Sequence, residues 1–125
     1  MQIAALDHLV LTVTDPEATV AFYARLGMRH ELFGEGRVAL RFGSQKLNLH
    51  RAGAEFDPHA RIATAGSADL CFLLEGRLDE AERELRAADI EIELGPVTRA
   101  GAEGPIQSLY VRDPDGNLVE LSERV

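Results

Sequence analysis

The chain has 125 residues, of which 46% are apolar and 27% charged, and its 13 basic and 21 acidic residues give a formal net charge of −8. This length and composition are typical of one soluble globular domain with a core of its own. The acidic balance and the lack of a basic run argue against nucleic acid and anionic membranes as partners. There is no apolar run near the roughly 20 residues that span a bilayer, no recognisable secretion signal, and only one cysteine, Cys71. We therefore expect a cytoplasmic protein without an internal disulfide.

The first half of the chain is predicted to form a strand, a helix and three more strands. Alternating apolar residues predict the first strand over residues 5–13. Asp15 and Pro16 are typical of a helix cap and a first helical residue, and Gly27 is typical of a helix end. The three following strands are predicted at Arg29–Phe33, Val38–Phe42 and Leu47–His50.

The second half is predicted to repeat this order after a connector at residues 51–67. A strand is predicted at Ala68–Leu74, and apolar residues at helical spacing predict a helix from Leu78 to Ala88. Further strands are predicted at Ile90–Leu94, Ile106–Arg112 and Leu118–Ser122, with a loop at Gly95–Pro105. The turn chemistry of residues 113–116 separates the last two strands. We expect a single domain made of a module at 1–50, the connector and a module at 68–125.

The two halves therefore resemble an internal repeat. The aligned segments are His8-Leu9-Val10-Leu11 with Asp69-Leu70-Cys71-Phe72, Leu26-Gly27 with Ala87-Ala88, and Leu47-Asn48-Leu49 with Val119-Glu120-Leu121. In this alignment His8 is equivalent to Asp69, and Asn48 is equivalent to Glu120. If the halves pair about a pseudo-two-fold axis, these four side chains point into one cavity.

These side chains predict a metal site. His8, Asp69 and Glu120 supply an imidazole and two carboxylates from three strands, and Asn48 or His50 is the fourth candidate ligand. Mixed nitrogen and oxygen donors suit a divalent ion such as Zn, Ni, Mn, Co or Fe(II). Two carboxylates would balance its charge and leave positions for water or substrate. The alternatives are a structural histidine at His8, turn chemistry at Asp69 and a solvated side chain at Glu120.

Other polar side chains are predicted to face the same cavity. Strand alternation places Ser108, Tyr110 and Arg41 on this face, and Arg99 falls in the loop predicted to cover the mouth. Two arginines would favour a small anionic substrate, although solvated arginines explain the same pattern. Cys71 lies two residues after Asp69, on the same face of its strand, and could line the cavity. A buried structural thiol is the more frequent role for a cysteine.

The chain resembles the vicinal oxygen chelate superfamily, which includes glyoxalase, bleomycin-resistance proteins, fosfomycin-resistance transferases and extradiol dioxygenases. The resemblance rests on residues 6–13 followed by Asp15, on residues 22–28, and above all on the closing motif at residues 110–120. Residues 41–50 and 66–69 are most similar to a subgroup described as glyoxalase-domain-containing or virulence-associated proteins. The resemblance implies an α+β fold with two βαβββ modules forming an open, cup-shaped, eight-stranded mixed sheet with the helices outside. It also implies a homodimer with a divalent metal in the cavity.

The resemblance carries the metal-ligand role over to His8 and Glu120. This chain has Asp69 where the second module commonly supplies a histidine, and Asn48 where glyoxalase has its fourth ligand, a glutamate. Because Asn48 cannot act as a base, Asp69 or His50 is predicted to move the proton. The predicted substrate contacts are Arg41, Asn48, Ser108, Tyr110 and Arg99.

Two functions remain open at this point. One is a metal-dependent lyase, isomerase or related enzyme acting on a small oxygen-bearing, anionic substrate. The other is a metal-free, ligand-sequestering protein of the bleomycin-resistance type. The same fold supports both, because function belongs to the site rather than to the fold.

Overall fold

The computed structural model describes residues 1–125, which form eight strands and two helices. In chain order they are β1 (His8–Val13), α1 (Pro16–Arg25), β2 (Arg29–Phe33), β3 (Arg37–Phe42), β4 (Gln45–Arg51), β5 (Asp69–Leu73), α2 (Leu78–Ala87), β6 (Leu94–Gly101), β7 (Gly104–Arg112) and β8 (Leu118–Arg124). The chain divides into two compact units, Met1–Ser67 and Ala68–Val125. Neither helix has the length and apolar character needed to cross a membrane.

Each unit contains one four-stranded mixed sheet. The strand order is β1-β4-β3-β2 in the first unit and β5-β8-β7-β6 in the second, so the two units have the same topology. In each sheet the first strand of the unit pairs in parallel with the last, and the other pairs are antiparallel. The predicted α+β class with two βαβββ modules is confirmed, and the eight strands fall equally into two sheets.

The strand register agrees with the repeat. Asn48 lies opposite Val10 in the first sheet, and Glu120 lies opposite Cys71 in the second. Asn48 and Glu120 therefore occupy equivalent places in their sheets. Each lies opposite the third residue of the first strand of its unit. The equivalence was predicted from the sequence pattern alone.

The two helices begin with different caps. Asp15 precedes α1 and its side chain accepts hydrogen bonds from the backbone N–H groups of Glu17 and Ala18. Arg77 precedes α2 and provides no such bond. Instead, the Leu78 N–H at the start of α2 donates to the Glu123 carboxylate of β8 over 2.9 Å. An acidic group at a helix N-terminus satisfies an unpaired N–H and interacts favourably with the helix dipole.

The helices end alike, in left-handed residues. Gly27 follows α1 with φ 94°, and Asp89 follows α2 with φ 56°. In both cases the next N–H bonds back to a carbonyl in the last turn, at Tyr23 and Leu85 respectively. The helix ends are thus equivalent at Gly27 and Asp89, which is one residue later than the aligned Ala88.

The prediction was wrong between residues 90 and 105. No strand forms at 90–93, and the segment predicted as a loop contains β6, which starts at Leu94. This strand lies at the edge of its sheet, where proline is tolerated, and its register shifts between Leu94 and Val97. Gly95 lies at this irregularity with φ 117°, and an added Cβ would be 2.4 Å from the Ser108 carbonyl oxygen.

Each helix packs against one side of its own sheet, and that side carries the buried apolar residues. The buried apolar residues of the sheets and helices include Leu11, Val13, Tyr23, Leu40 and Leu47 in the first unit, and Leu78, Leu85, Leu109, Val111 and Val119 in the second. Because side chains alternate along a strand, the residues between them point to the opposite side. That side carries the polar residues singled out above.

Candidate functional site

His8 opens β1 with a side chain that is 43% exposed. Its Nδ1 lies 2.8 Å from the Asp7 carboxylate. This hydrogen bond is the main cause that lowers the pKa of Asp7. With Nδ1 held by a carboxylate, Nε2 is the ring nitrogen left for another partner. Asp7 was not named as a site residue from the sequence, although a carboxylate next to a histidine in the sequence is a signal of a carboxylate–histidine hydrogen bond.

Asn48 and His50 lie on one face of β4, but their environments differ. The Asn48 Oδ1 atom is buried and has no hydrogen-bond partner. His50 is only 7% exposed, and its ring meets the Phe56 ring edge-on, with 5.5 Å between centroids. The pKa of His50 is lowered, mainly by burial and secondly by the positive charge of Arg37. His50 is therefore a neutral packed side chain in this unit, whereas Asn48 offers an unused oxygen.

Arg41 lies on the same sheet face and forms an ion pair with Glu31 on β2. The hydrogen bond from Arg41 is the main cause that lowers the pKa of Glu31. Lys46, opposite Arg41 in the register, places its Nζ 4.0 Å from the centre of the Phe33 ring. The Arg41 charge is thus balanced locally by a carboxylate that the sequence reasoning missed.

A cavity of about 500 Å³ lies in the second unit. Its wall includes Glu120 and Cys71, which are neighbours across β8 and β5, together with Arg99. Arg124 and Glu103 also line it and form an ion pair of 3.4 Å. The cavity therefore combines a carboxylate, a thiol and a cationic group, as a site for a small polar molecule would require.

Behind Glu120, three hydroxyl or thiol groups form a hydrogen-bonded chain. Ser108 Oγ donates to Glu120 Oε1 over 2.6 Å and lies 2.7 Å from Ser122 Oγ. Ser122 Oγ in turn lies 3.3 Å from Cys71 Sγ. Both serines are fully buried. Cys71 lines the cavity and is exposed, so the expectation of a buried thiol was wrong, although partial desolvation still raises the pKa of the thiol. Cys71 is thus protonated at neutral pH, and Ser108 contacts Glu120 from inside the protein.

Arg99 and Tyr110 form a pair across β6 and β7. The Arg99 Nε donates to the Tyr110 hydroxyl over 2.9 Å, and its guanidinium carbon lies 5.5 Å from the centre of the Tyr110 ring. Arg99 belongs to strand β6, so its predicted position in a loop was wrong. Asp69, at the start of β5, is exposed.

The turn before β8 depends on Asn117, which is fully buried. Its Oδ1 accepts the Ala68 N–H over 2.8 Å, and its Nδ2 donates to the Asp113 carboxylate over 2.8 Å. The other Asp113 oxygen accepts the N–H groups of Asp115 and Asn117. Asn117 thereby joins the residue before β5 to the residue before β8, which sets the register that places Cys71 beside Glu120.

The predicted site residues are divided between the two units. The first unit holds His8, Arg41, Asn48 and His50, and the second holds Asp69, Arg99, Ser108, Tyr110 and Glu120. Neither unit by itself groups three or more His, Cys, Asp or Glu side chains as a metal site requires. The donor chemistry nevertheless fits a borderline divalent ion, because an imidazole nitrogen and carboxylate oxygens are suitable ligands. The orphaned amide oxygen of Asn48 is a further donor of the right kind.

Comparison with known proteins decides the family. A family model described as the Glyoxalase/Bleomycin resistance protein/Dioxygenase superfamily matches residues 5–121. The chain belongs to this superfamily. The family resemblance recognised in the sequence is therefore confirmed.

Individual members of the superfamily are similar over the whole chain. Glyoxalase domain-containing protein RDO1 of Mycosarcoma maydis is 52% identical over 98% of this chain and 69% of its own length. The crystal structure of virulence protein STM3117 from Salmonella typhimurium is 49% identical, with a TM-score of 0.98 and full coverage of both chains. A lactoylglutathione lyase from Agrobacterium tumefaciens is 28% identical, with a TM-score of 0.74 over 98% of this chain and 95% of that one.

Proposed function

We propose that this protein is a metal-dependent enzyme in which His8 and Glu120 bind a divalent ion. The observation that carries the proposal is the Asp7 carboxylate on Nδ1 of His8. A histidine that binds a metal almost always has its other ring nitrogen on a carboxylate, carbonyl or water, which fixes the ring and the tautomer. A histidine kept for packing would be buried, whereas the His8 side chain is 43% exposed.

Glu120 suits the second ligand position. Its Oε1 accepts the Ser108 hydroxyl, and we propose its other oxygen, Oε2, as the atom that binds the ion. Asp69 and the amide oxygen of Asn48 are the proposed additional donors. The modules that carry these ligands would have to meet either within one chain or in a homodimer, which we propose as the functional form in the cytoplasm.

The proposed substrate is a small anionic molecule with two neighbouring oxygen atoms. When bound, a divalent ion would supply Lewis-acid chemistry, polarising a substrate oxygen. Asp69 is the proposed group that accepts and returns a proton when it leaves the ion, because the Asn48 amide has no basic site and the His50 ring is covered by Phe56. His50 is correspondingly a weaker candidate for both its ligand and its base roles.

Two arginines differ in their availability to an anionic substrate. Arg99 lines the cavity, and its hydrogen bond goes to the Tyr110 hydroxyl rather than to a carboxylate. Arg41 is already paired with Glu31. We therefore propose that Arg99, held by Tyr110, orients the substrate, and that Arg41 takes part only if its ion pair opens.

Metal content tests the proposal directly. Protein purified without tag or chelator is analysed for elements, then stripped and reloaded with Zn, Ni, Mn, Co or Fe(II). The wild type should retain close to one ion per chain, and His8→Ala and Glu120→Ala should each lose it. His30→Ala and Glu91→Ala, at exposed positions, are matched controls that should retain it. Unchanged metal content in both test variants would rule out the ligand assignment.

The same experiment separates the two open functions. If the wild type holds no ion with any metal, the enzyme proposal fails and the metal-free, ligand-sequestering function takes its place. If an ion is held, lactoylglutathione lyase activity is the first reaction to assay, because a protein of that name is 28% identical. Thiol transfer and catechol cleavage are the next reactions to assay.

A further inference from the structure

We infer that Ser108 and Ser122 are positioning residues that fix the Glu120 carboxylate for metal binding. The inference rests on the proposed function, since it assigns a role toward the ion that Glu120 would bind. Neither serine has to contact the ion or the substrate in this role. The observations are the hydrogen-bonded chain behind Glu120 and the complete burial of the two serines.

Counting protons gives the chain a direction. Each hydroxyl or thiol has one proton to donate, and an ionised carboxylate has none. Ser108 gives its proton to Glu120, so the 2.7 Å contact between the serines requires Ser122 to donate to Ser108. The proton of Ser122 is then used, so the 3.3 Å contact requires Cys71 to donate to Ser122. Every proton in the chain therefore points toward Glu120.

The sheet holds this chain in place. Ser108 and Ser122 are direct partners in the register of β7 and β8, and Tyr110 is the direct partner of Glu120. Glu120 lies two residues before Ser122 on β8, so the Ser108 hydroxyl reaches it diagonally across the two strands. Both serines have no exposed surface, so water does not compete for these hydrogen bonds. The donor that Glu120 meets is therefore fixed by backbone pairing rather than by a mobile side chain.

The consequence is a carboxylate with one oxygen held by a buried donor. Oε1 is held over 2.6 Å by a buried donor, which restricts rotation of the carboxylate about its terminal bond. Fixing Oε1 also limits the positions that Oε2, the proposed ligand atom, can adopt. Hydrogen bonds of this kind behind a metal ligand set its orientation and contribute to affinity.

This role differs from the one expected for Ser108 in the sequence. Strand alternation indicated a substrate contact, but the single proton of Ser108 is already donated to Glu120. We assign Ser108 to Glu120 instead, with Ser122 as the group that orients the Ser108 hydroxyl. Cys71 is the outermost donor of the chain, but it is also the direct partner of Glu120 in the β5–β8 register and interacts with that carboxylate itself.

Metal affinity in a graded set of variants tests the inference. Ser108→Ala should weaken binding of the ion by about 10- to 100-fold, the usual effect of removing a partner behind a metal ligand. Ser122→Ala should weaken it less, because Ser108 keeps its own proton. Ser44→Ala, in an exposed turn, is the control. Thermal unfolding of each variant shows that it is folded.

A second measurement needs no metal. The ¹³C NMR signal of the Glu120 side-chain carboxyl, assigned with Glu120→Gln, should shift in metal-free Ser108→Ala and stay unchanged in Ser44→Ala. Ser108→Cys, which keeps a weak donor, should restore part of the wild-type signal. A merely structural serine would leave this signal where it is.

The outcomes separate the inference from the function on which it rests. If the wild type binds an ion and Ser108→Ala binds it equally well, the positioning role is overturned and the proposed function stands. If the wild type binds no ion, the proposed function fails together with the role toward metal. An unchanged Glu120 signal in Ser108→Ala would also overturn any positioning of the carboxylate.

Discussion

Replacing Asn117 by alanine should destabilise the second unit more than any exposed substitution. Asn117 is fully buried and its side chain makes two hydrogen bonds of 2.8 Å, one from the Ala68 N–H and one to the Asp113 carboxylate. Asn117→Ala removes both, so that the Ala68 N–H and the Asp113 carboxylate each lose a buried hydrogen bond. The turn that starts β8 and the entrance to β5 lose their common support.

The magnitude follows from the two bonds. A neutral hydrogen bond contributes about 1 kcal/mol and one to a charged group about 1.5–3 kcal/mol. The expected loss for Asn117→Ala is therefore roughly 3 kcal/mol in the free energy of unfolding. Urea denaturation followed by far-UV circular dichroism measures it as a lower midpoint.

Asn48→Ala is the matched control for this prediction. It makes the same chemical change on a strand, but the Asn48 Oδ1 atom has no hydrogen-bond partner to lose. Its free energy of unfolding should fall by less than about 1 kcal/mol. Equal losses in Asn117→Ala and Asn48→Ala would refute the reasoning, because buried hydrogen bonds would then not account for the difference.

Three further predictions concern a glycine, the ligand pair and a buried histidine. Gly95→Ala should cost about 1–3 kcal/mol more in urea denaturation than Gly104→Ala, because both glycines have positive φ but only Gly95 would meet a backbone carbonyl; equal costs would contradict this. Asp7→Asn should weaken metal binding at least about tenfold, measured by competition with a chelator, because the carboxylate partner of His8 is lost; unchanged affinity would refute that role. Folding lowers the pKa of His50 below its ordinary 6.5, so the unfolded chain takes up the proton first as pH falls. Stability should therefore decline from pH 7 to 5 in urea titrations, with a smaller decline in His50→Gln; parallel declines would assign the effect to other groups.

Most of the fold was predictable because its signals are local. Alternating apolar residues, the Asp15 cap and the turn at residues 113–116 locate seven of the eight strands and both helices. The exception is β6, where Gly95 and Pro96 are typical of a loop, while the alternation of Ile90 and Ile92 is typical of a strand. An edge strand needs fewer backbone donors than a central one, so its sequence can depart from strand composition.

For the site, the sequence predicted only which face of its sheet each candidate side chain lies on. Parity and the repeat place Asn48 and Glu120 correctly on equivalent strands, because side chains alternate with a period of two. Parity does not show which groups touch. The Glu31 partner of Arg41 and the Ser108 donor to Glu120 both depend on register between strands, and the cover of His50 by Phe56 depends on the path of a connector.

The different caps of the two helices set an order of events in folding. The N-terminal hydrogen bonds of α1 are made to Asp15, two and three residues away, so they can form as soon as this segment is synthesised. The corresponding bond of α2 is made to Glu123, which lies 45 positions later in the chain. During synthesis from the N-terminus, the local bond from the Ala81 N–H to the Arg77 carbonyl can form early, but the Leu78 N–H has to wait for β8. We therefore expect the N-terminus of α2 to be completed later than that of α1.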